Sequence, residues 1–317
     1  MSESNRNPTR TRTPEAVLRR LEWTVIRRLD GVLHGDYRTL FRGHGLDLAD
    51  LREYMYGDDV RHIDWNVTAR LTTPYVREYM EEREVAAWFL LDLSASVNFG
   101  SQELKKEAIS AEFVAVLARI LTRHGNRVGA LFYGDKVDTV IPARGGRRHV
   151  LGLLHRLLQR PELQRSEGTD LRAFLRTAYQ VMPRRSMVFI VSDFFSQPGW
   201  AEPLAHLAQR HEVVAVRLYD PLERELPDMG MLVMQDSETG EQLFVDTHDK
   251  GFRKRFASVA ERRERELRMA LARAGVDCLE LATDGELVDA LMRFTDLRKR
   301  RSRLAGGGMP KHLEKVA

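Results

Sequence analysis

One cysteine, Cys278, stands in 317 residues. A lone thiol excludes an internal disulfide framework and cannot build a zinc site, so the chain suits a reducing compartment. No apolar run approaches the ~18 residues a membrane span requires, and the opening MSESNRNPTRTRTPE lacks the apolar core of a signal segment. The expectation is a cytoplasmic protein. Catalytic signatures are equally scarce. There is no G-x-x-x-x-G-K-[ST] phosphate loop, no G-x-S-x-G elbow and no H-E-x-x-H. Fifty basic and 46 acidic residues leave a net charge of only +4, which does not by itself point to nucleic acid. Basic clusters occur at 19–20, 27–28, 145–148 and 297–303, but no aromatics are interleaved with them, so no stacking platform for single strands is visible. They read as solvated helix faces or tails.

What remains is an ordinary globular balance, 43% hydrophobic and 30% charged, with an alternating grammar. Residues 1–13 are polar. From Pro14, Leu18, Leu21, Val25 and Leu29 form one apolar stripe of a helix. Residues 14–83 carry little hydrophobic mass and read as an accessory segment that packs on the domain downstream. AAWFLLD (86–92) is a continuous apolar run, as expected of a strand buried on both faces. A helix comes next, with Ile109, Phe113, Val116, Leu117, Ile120 and Leu121 on one face and Gly125 beyond its end. Strands at VGALFYG, KVDTVIPA, MVFIVSD, EVVAVRLYD and VDCLELAT then alternate with helices, and MLVMQDSETGEQLFVD reads as a hairpin. This pattern predicts an α/β domain over 84–294 with a mostly parallel, doubly wound sheet flanked by helices, then a basic tail at 295–317. In such sheets ligands bind beyond the C-terminal strand ends, near a topological switch, and Asp92 and Asp193 both close apolar strands there.

The stretch FLLDLSASVNFG sets an acid and two hydroxyls, Asp92, Ser94 and Ser96, at two-residue steps. In a strand they would span roughly 13 Å at ~3.3 Å per residue; in a helix, neighbours two apart diverge. Only a tight turn makes the three oxygens converge. A carboxylate with hydroxyls and no nitrogen or sulfur suits a hard cation such as magnesium, which wants six oxygens. Three ligands from one loop are too few, so Asp193 and Thr169 (in SEGTDL) are expected to add theirs. The plainer alternative is helix capping, by Ser94 or Ser96 for the next helix and by Thr169 or Asp170 for the helix at 171–181.

DLSAS, GTD and VSD together resemble the metal-ion-dependent adhesion site of von Willebrand factor A domains over roughly residues 84–290. The resemblance implies that Asp92, Ser94, Ser96, Thr169 and Asp193 hold Mg2+ (or Mn2+), some through water, with one position left for a carboxylate of an acidic protein ligand. Upstream, REYMYGDDVRHIDWNVTARL resembles the signature of a bacterial family known as domain of unknown function 58, matching at Gly57, Asp58, Arg61, Ile63, Asp64, Trp65, Ala69 and Arg70. Many relatives are associated with MoxR-type AAA+ ATPases. The resemblance therefore implies a von Willebrand factor A-like domain in a non-enzymatic, metal-dependent adaptor that works beside such an ATPase in assembling or maturing protein complexes. Read from the residues, Gly57 permits a turn, Asp58 can stabilise it, Arg61, Asp64 and Arg70 offer an ion-pair set, and Trp65 offers an apolar anchor. Together they make either a latch to the adjoining domain or a docking surface. A magnesium-dependent phosphoester hydrolase is the alternative, although Ser94 stands where an aspartyl phosphatase places its second acid. Nucleic-acid binding through the basic helices is a third reading.

Overall fold

The computed structural model describes residues 13–26, 29, 51–55, 60, 63, 65–71, 73–77, 86–101, 104–161, 163, 168–236 and 240–305. Helix α1 (Pro14–Leu21) starts from Thr13, whose hydroxyl accepts from the Ala16 amide, and runs into a π-helical turn at Glu22–Ile26. A π turn inserts one extra residue per turn, so the buried stripe shifts phase. Leu18, Leu21, Ile26 and Leu29 are fully buried, whereas Val25, expected in the stripe, is only partly so. Strand β1 (Leu51–Glu53), helix α2 (Trp65–Leu71) and strand β2 (Tyr75–Arg77) come next, with β1 and β2 antiparallel and Ile63 bridging to Val76.

The main sheet begins at β3 (Ala86–Asp92). Helix α3 (Lys106–Arg123) leads to β4 (Arg127–Tyr133) and the edge strand β5 (Val137–Arg144). Helices α4 (Arg147–Leu158) and α5 (Leu171–Val181) carry the chain back to β6 (Met187–Ser192), then α6 (Ala201–Arg210) to β7 (Glu212–Tyr219). A hairpin of β8 (Met231–Gln235) and β9 (Gln242–Asp246) precedes the long α7 (Lys250–Ala274), β10 (Asp277–Ala282) and α8 (Leu287–Ala305). The six-stranded order is β10-β7-β6-β3-β4-β5, parallel throughout except for antiparallel β4–β5. The chain thus starts in the middle, winds outward one way, then returns to the other side of β3. The expected fold class holds, and β3 and β6 meet at the switch point.

The apolar strands bury both faces, and their side chains divide with period two. Ala87, Phe89 and Leu91 of β3 join Phe189 and Val191 of β6 beneath α1, α3, α4 and α8; Trp88 and Leu90 join Val188 and Ile190 beneath α5, α6 and α7. Phe89 lies opposite Phe189 in register and stacks on it at 5.4 Å, and Phe113 of α3 meets both rings edge-on. Trp88 lies opposite Gly129 of β4, where a Cβ would come within 2.8 Å of the indole and 2.9 Å of the Ile141 carbonyl, so only glycine fits. α3 is buried nearly all round because α1 covers its outer side. Arg20–Glu112 and Arg119–Glu22 ion pairs fasten the two.

Two expectations need correction. The tail expected from residue 295 is helical to Ala305: Thr295 is buried, and Arg298 binds Glu212 (2.8 Å) and Asp277 (3.0 Å), tying the helix end to the starts of β7 and β10. Trp65 is 69% exposed at the start of α2, so it is not a buried anchor. Arg70 is also exposed, while Gly57, Asp58, Arg61 and Asp64 lie outside the described residues. Among the described residues no helix is long and apolar enough to cross a membrane. Burial, with the Glu280 charge adding to it, pushes the Cys278 thiol up to about 12, which disfavours the thiolate.

His211, at the start of β7, is buried with neither ring nitrogen hydrogen-bonded, edge-on to Tyr179. Burial, and then the charges of Arg210 and Arg185, lower its pKa from 6.5 to about 4. Between those values the unfolded chain binds a proton that the folded one does not, so stability rises with pH across that window and is lost as pH falls. The denaturation midpoint of the protein is expected to climb from pH 4 to pH 6.5, and His211→Phe to flatten that climb; an unchanged slope in the variant would remove His211 from the account.

Candidate functional site

Every site element lies at the C-terminal edge of the sheet. β3 ends on Asp92, and the chain turns at once through Leu93 and Ser94 into a 3-10 turn at Ala95–Asn98. Asp92 drives the turn, since its Oδ1 accepts from the Ser94 amide at 3.1 Å, an aspartate-to-backbone bond two residues on. The turn brings the Ser94 and Ser96 hydroxyls within 3.2 Å of each other. Both serines are buried, and neither caps a helix: Ser94 precedes the 3-10 turn without a side-chain cap bond, and α3 begins ten residues beyond Ser96, with Lys105 at its cap. The capping alternative fails for Thr169 too, because Asp170 caps α5, its Oδ1 accepting from the Ala173 amide at 3.1 Å.

β6 ends next door. The Ser192 hydroxyl donates to Asp92 Oδ2 at 2.6 Å and accepts from the Phe194 amide at 2.8 Å, so one hydroxyl joins the two strand ends. Asp193 is the next residue, buried, its Oδ1 accepting from the Phe195 amide at 3.0 Å. Phe194 sits at φ +60°, a left-handed conformation that costs a non-glycine residue on the order of 1–3 kcal/mol and clusters at functional sites. The buried Thr169 is tied to this same loop: its carbonyl accepts from the Ser196 hydroxyl (2.8 Å) and the Gln197 amide (2.9 Å). The Asp170 amide donates to the Tyr133 hydroxyl at 2.9 Å, and the Asp170, Asp92 and Asp135 charges add to burial in raising the Tyr133 pKa. The third loop therefore lies close over the Asp92 strand end. Asp92, Ser94 and Ser96 converge as one cluster with Asp193 beside it, and Thr169 is fastened to the Asp193 loop.

The electrostatics are those of a site with too much negative charge. Burial, and then the charge of Asp193, push the Asp92 carboxyl up to about 6, against hydrogen bonds from Ser192 and Ser94 that lower it. Asp193 has a cation of its own. The Lys106 ammonium, from the first turn of α3 and fully buried, donates to Asp193 Oδ2 at 2.7 Å and to Glu223 Oε1 at 2.6 Å, with the Phe99 and Phe195 rings 5.8 and 5.5 Å away. Burial alone would lower the lysine pKa, but the two carboxylates outweigh it and hold it above its ordinary value. Glu223 belongs to a 3-10 turn at Pro221–Glu223, where it closes a capping box with Asp220. Asp220, fully buried beyond β7, accepts from the Ser101 amide (2.8 Å) and hydroxyl (2.7 Å), the Thr283 hydroxyl (2.7 Å) and the Leu222 amide (2.9 Å). Those bonds hold its carboxyl below the usual range despite burial, and they knot the loops after β3, β7 and β10.

The donor set fits a hard cation. It offers carboxylates and hydroxyls only, and a divalent ion would offset both the burial and the Asp193 charge that raise Asp92. Among the described residues no three of His, Cys, Asp and Glu form a metal-ligand group, so such a site depends on its hydroxyls. Sequence reasoning missed Lys106, Ser192, Asp220 and Glu223. Asp220 was findable, since RLYD repeats the apolar-strand-then-aspartate pattern of FLLD and IVSD. Lys106, in LKKEA, looks like any solvated helix start.

The family model of Protein of unknown function DUF58 matches residues 50–266. The chain belongs to that family. Uncharacterized protein Rv1480 of Mycobacterium tuberculosis (strain ATCC 25618 / H37Rv) is 38% identical over 291 residues, 92% of this chain and 91% of that one. Among solved structures, the fold is similar to the conserved hypothetical protein BatB from Bacteroides thetaiotaomicron (TM-score 0.44, 14% identity, 70% of this chain and 100% of that one). It is also similar to the SpRpn10 VWA domain (TM-score 0.36, 12% identity, 66% and 94%).

Asp220→Ala leaves the buried Thr283 hydroxyl unpaired and removes the acceptor of both Ser101 donors. A loss of about 2–4 kcal/mol is expected in urea unfolding, against about 1 kcal/mol for Ser101→Ala. Equal, near-zero losses would show that the knot carries no stability.

Proposed function

We propose that this protein is a metal-dependent adaptor rather than an enzyme, and that Asp92, Ser94, Ser96, Thr169 and Asp193 form its cation site. The observation that carries the reading is the excess of buried negative charge at the switch point: Asp92, pushed up to about 6 by burial and by Asp193, lies beneath hydroxyls and no softer ligand. When bound, a Mg2+ or Mn2+ ion would supply a positive centre that accepts one further oxygen, and an acidic protein ligand is the natural donor. This chain's own residues do the positioning. Ser192 and the Ser94 amide fix the Asp92 carboxylate, the 3-10 turn presents both serine hydroxyls, and the Phe195 amide and Lys106 fix Asp193. Family membership and the resemblance of the upstream signature favour a MoxR-type AAA+ ATPase as the partner and complex assembly or maturation as the setting.

Thermal unfolding tests the site. At a metal concentration a hundredfold above Kd, Mg2+ or Mn2+ is expected to raise the wild-type Tm by about 5 °C or more over the chelator-treated protein, and Asp92→Ala is expected to abolish that rise. No rise in the wild type with either ion would sink the reading. Capture of the cognate AAA+ ATPase or of an acidic client is expected to need metal and to fail with Ser94→Ala. Metal-dependent release of phosphate from a generic ester would instead favour a hydrolase.

A further inference from the structure

Lys106 holds Asp193 in place, but the proposed function gives no task to its positive charge. Its ammonium is fully buried, and its two charged partners come from different loops: Asp193 from the end of β6 and Glu223 from the turn after β7. The rings of Phe99 and Phe195 lie 5.8 and 5.5 Å from it. Both oxygens of Asp193 are thereby engaged, one by this ammonium and one by the Phe195 amide. The two Asp92 oxygens, in contrast, meet only neutral donors, the Ser94 amide and the Ser192 hydroxyl. The two acids of the site are therefore unequal: one already has a fixed cation, and the other has none among the described residues.

We propose that Lys106 is a resident counter-cation that neutralises Asp193, leaves Asp92 as the principal anionic ligand, and sets the site's affinity for a divalent ion well below what two free carboxylates would give. The inference rests on the metal reading of the site. A divalent ion beside Asp193 is repelled by an ammonium that cannot move away, because Glu223 and the aromatic walls hold it. Glu223 in turn offsets that repulsion: its side chain is 16% exposed and it is the only partner of Lys106 reachable from solvent among the contacts described. Loss of the lysine should strengthen metal binding, and loss of the glutamate should weaken it. A purely structural role for Lys106 predicts the reverse for the first variant, since removing one partner of a buried ion pair destabilises the loops that carry the ligands.

The test is Mn2+ uptake, read by the loss of the free-ion paramagnetic resonance signal, on full-length wild type, Lys106→Met, Glu223→Gln and Asp92→Ala, with circular dichroism to check folding. Lys106→Met is expected to bind Mn2+ about tenfold or more tightly than wild type, and Glu223→Gln about threefold or more weakly. Folded Lys106→Met with equal or weaker affinity, in a background where wild type binds, overturns this proposal and leaves the metal site standing. If neither wild type nor Lys106→Met takes up Mn2+ in an Asp92-dependent way, both fall. Uptake by Lys106→Met alone supports the proposal in its strongest form, with the ammonium standing in for the ion. Should Lys106→Met fail to fold, Glu223→Gln decides: weaker binding supports the proposal, and unchanged or tighter binding overturns it.

Discussion

Two carboxylates buried at the ends of adjacent parallel strands repel each other through a medium that screens poorly, and the C-terminal edge of this sheet is organised around that repulsion. Burial, and then the charge of Asp193, raise the Asp92 carboxyl, and several donors work against that rise or engage Asp193 itself. They are the backbone amides of Ser94 and Phe195, the Ser192 hydroxyl and the Lys106 ammonium. The tight turn after β3, the left-handed Phe194 and the buried first turn of α3 are the local conformations that bring those donors to bear.

The remainder of the fold keeps this edge still. Stacked Phe89 and Phe189, with Phe113 against both, lock the two strands whose ends carry the acids. Asp220 binds loops from three strands into one knot, so the site's walls share a single fully buried junction. α1 closes the outer side of α3, which is how a segment with little core of its own buries its apolar stripe where it touches the domain. Lys106, on the same α3, thus links the packing of the N-terminal segment to the charge balance at the strand ends.

Most of the architecture was legible because the strands are apolar on both faces and end abruptly. FLLD and IVSD mark a buried parallel strand and its exit, and the DLSAS spacing fits neither regular structure, so a turn followed from geometry alone. What could not be read depends on tertiary neighbours. Nothing in LKKEA distinguishes Lys106, which is fully buried, from Lys105 beside it, because the distinction is made by Asp193 and Glu223, 87 and 117 residues away. The stripe of α1 drifts from Val25 to Ile26 through a π turn that no residue type signals. A large aromatic such as Trp65 is usually buried, yet this one faces solvent. The domain outruns its expected boundary at 294 because Arg298 of helix α8 reaches two acids at the opposite edge of the sheet.

At Gly129 the indole of Trp88 fills the space that any side chain would claim, and the Ile141 carbonyl closes the other side. Positions 88 and 129 are therefore a single steric unit shared by two strands. Shrinking residue 88 would clear the indole but not the Ile141 carbonyl, a backbone atom 2.9 Å from where a Cβ would lie, so the pairing of the strands holds position 129 to glycine whatever stands at 88.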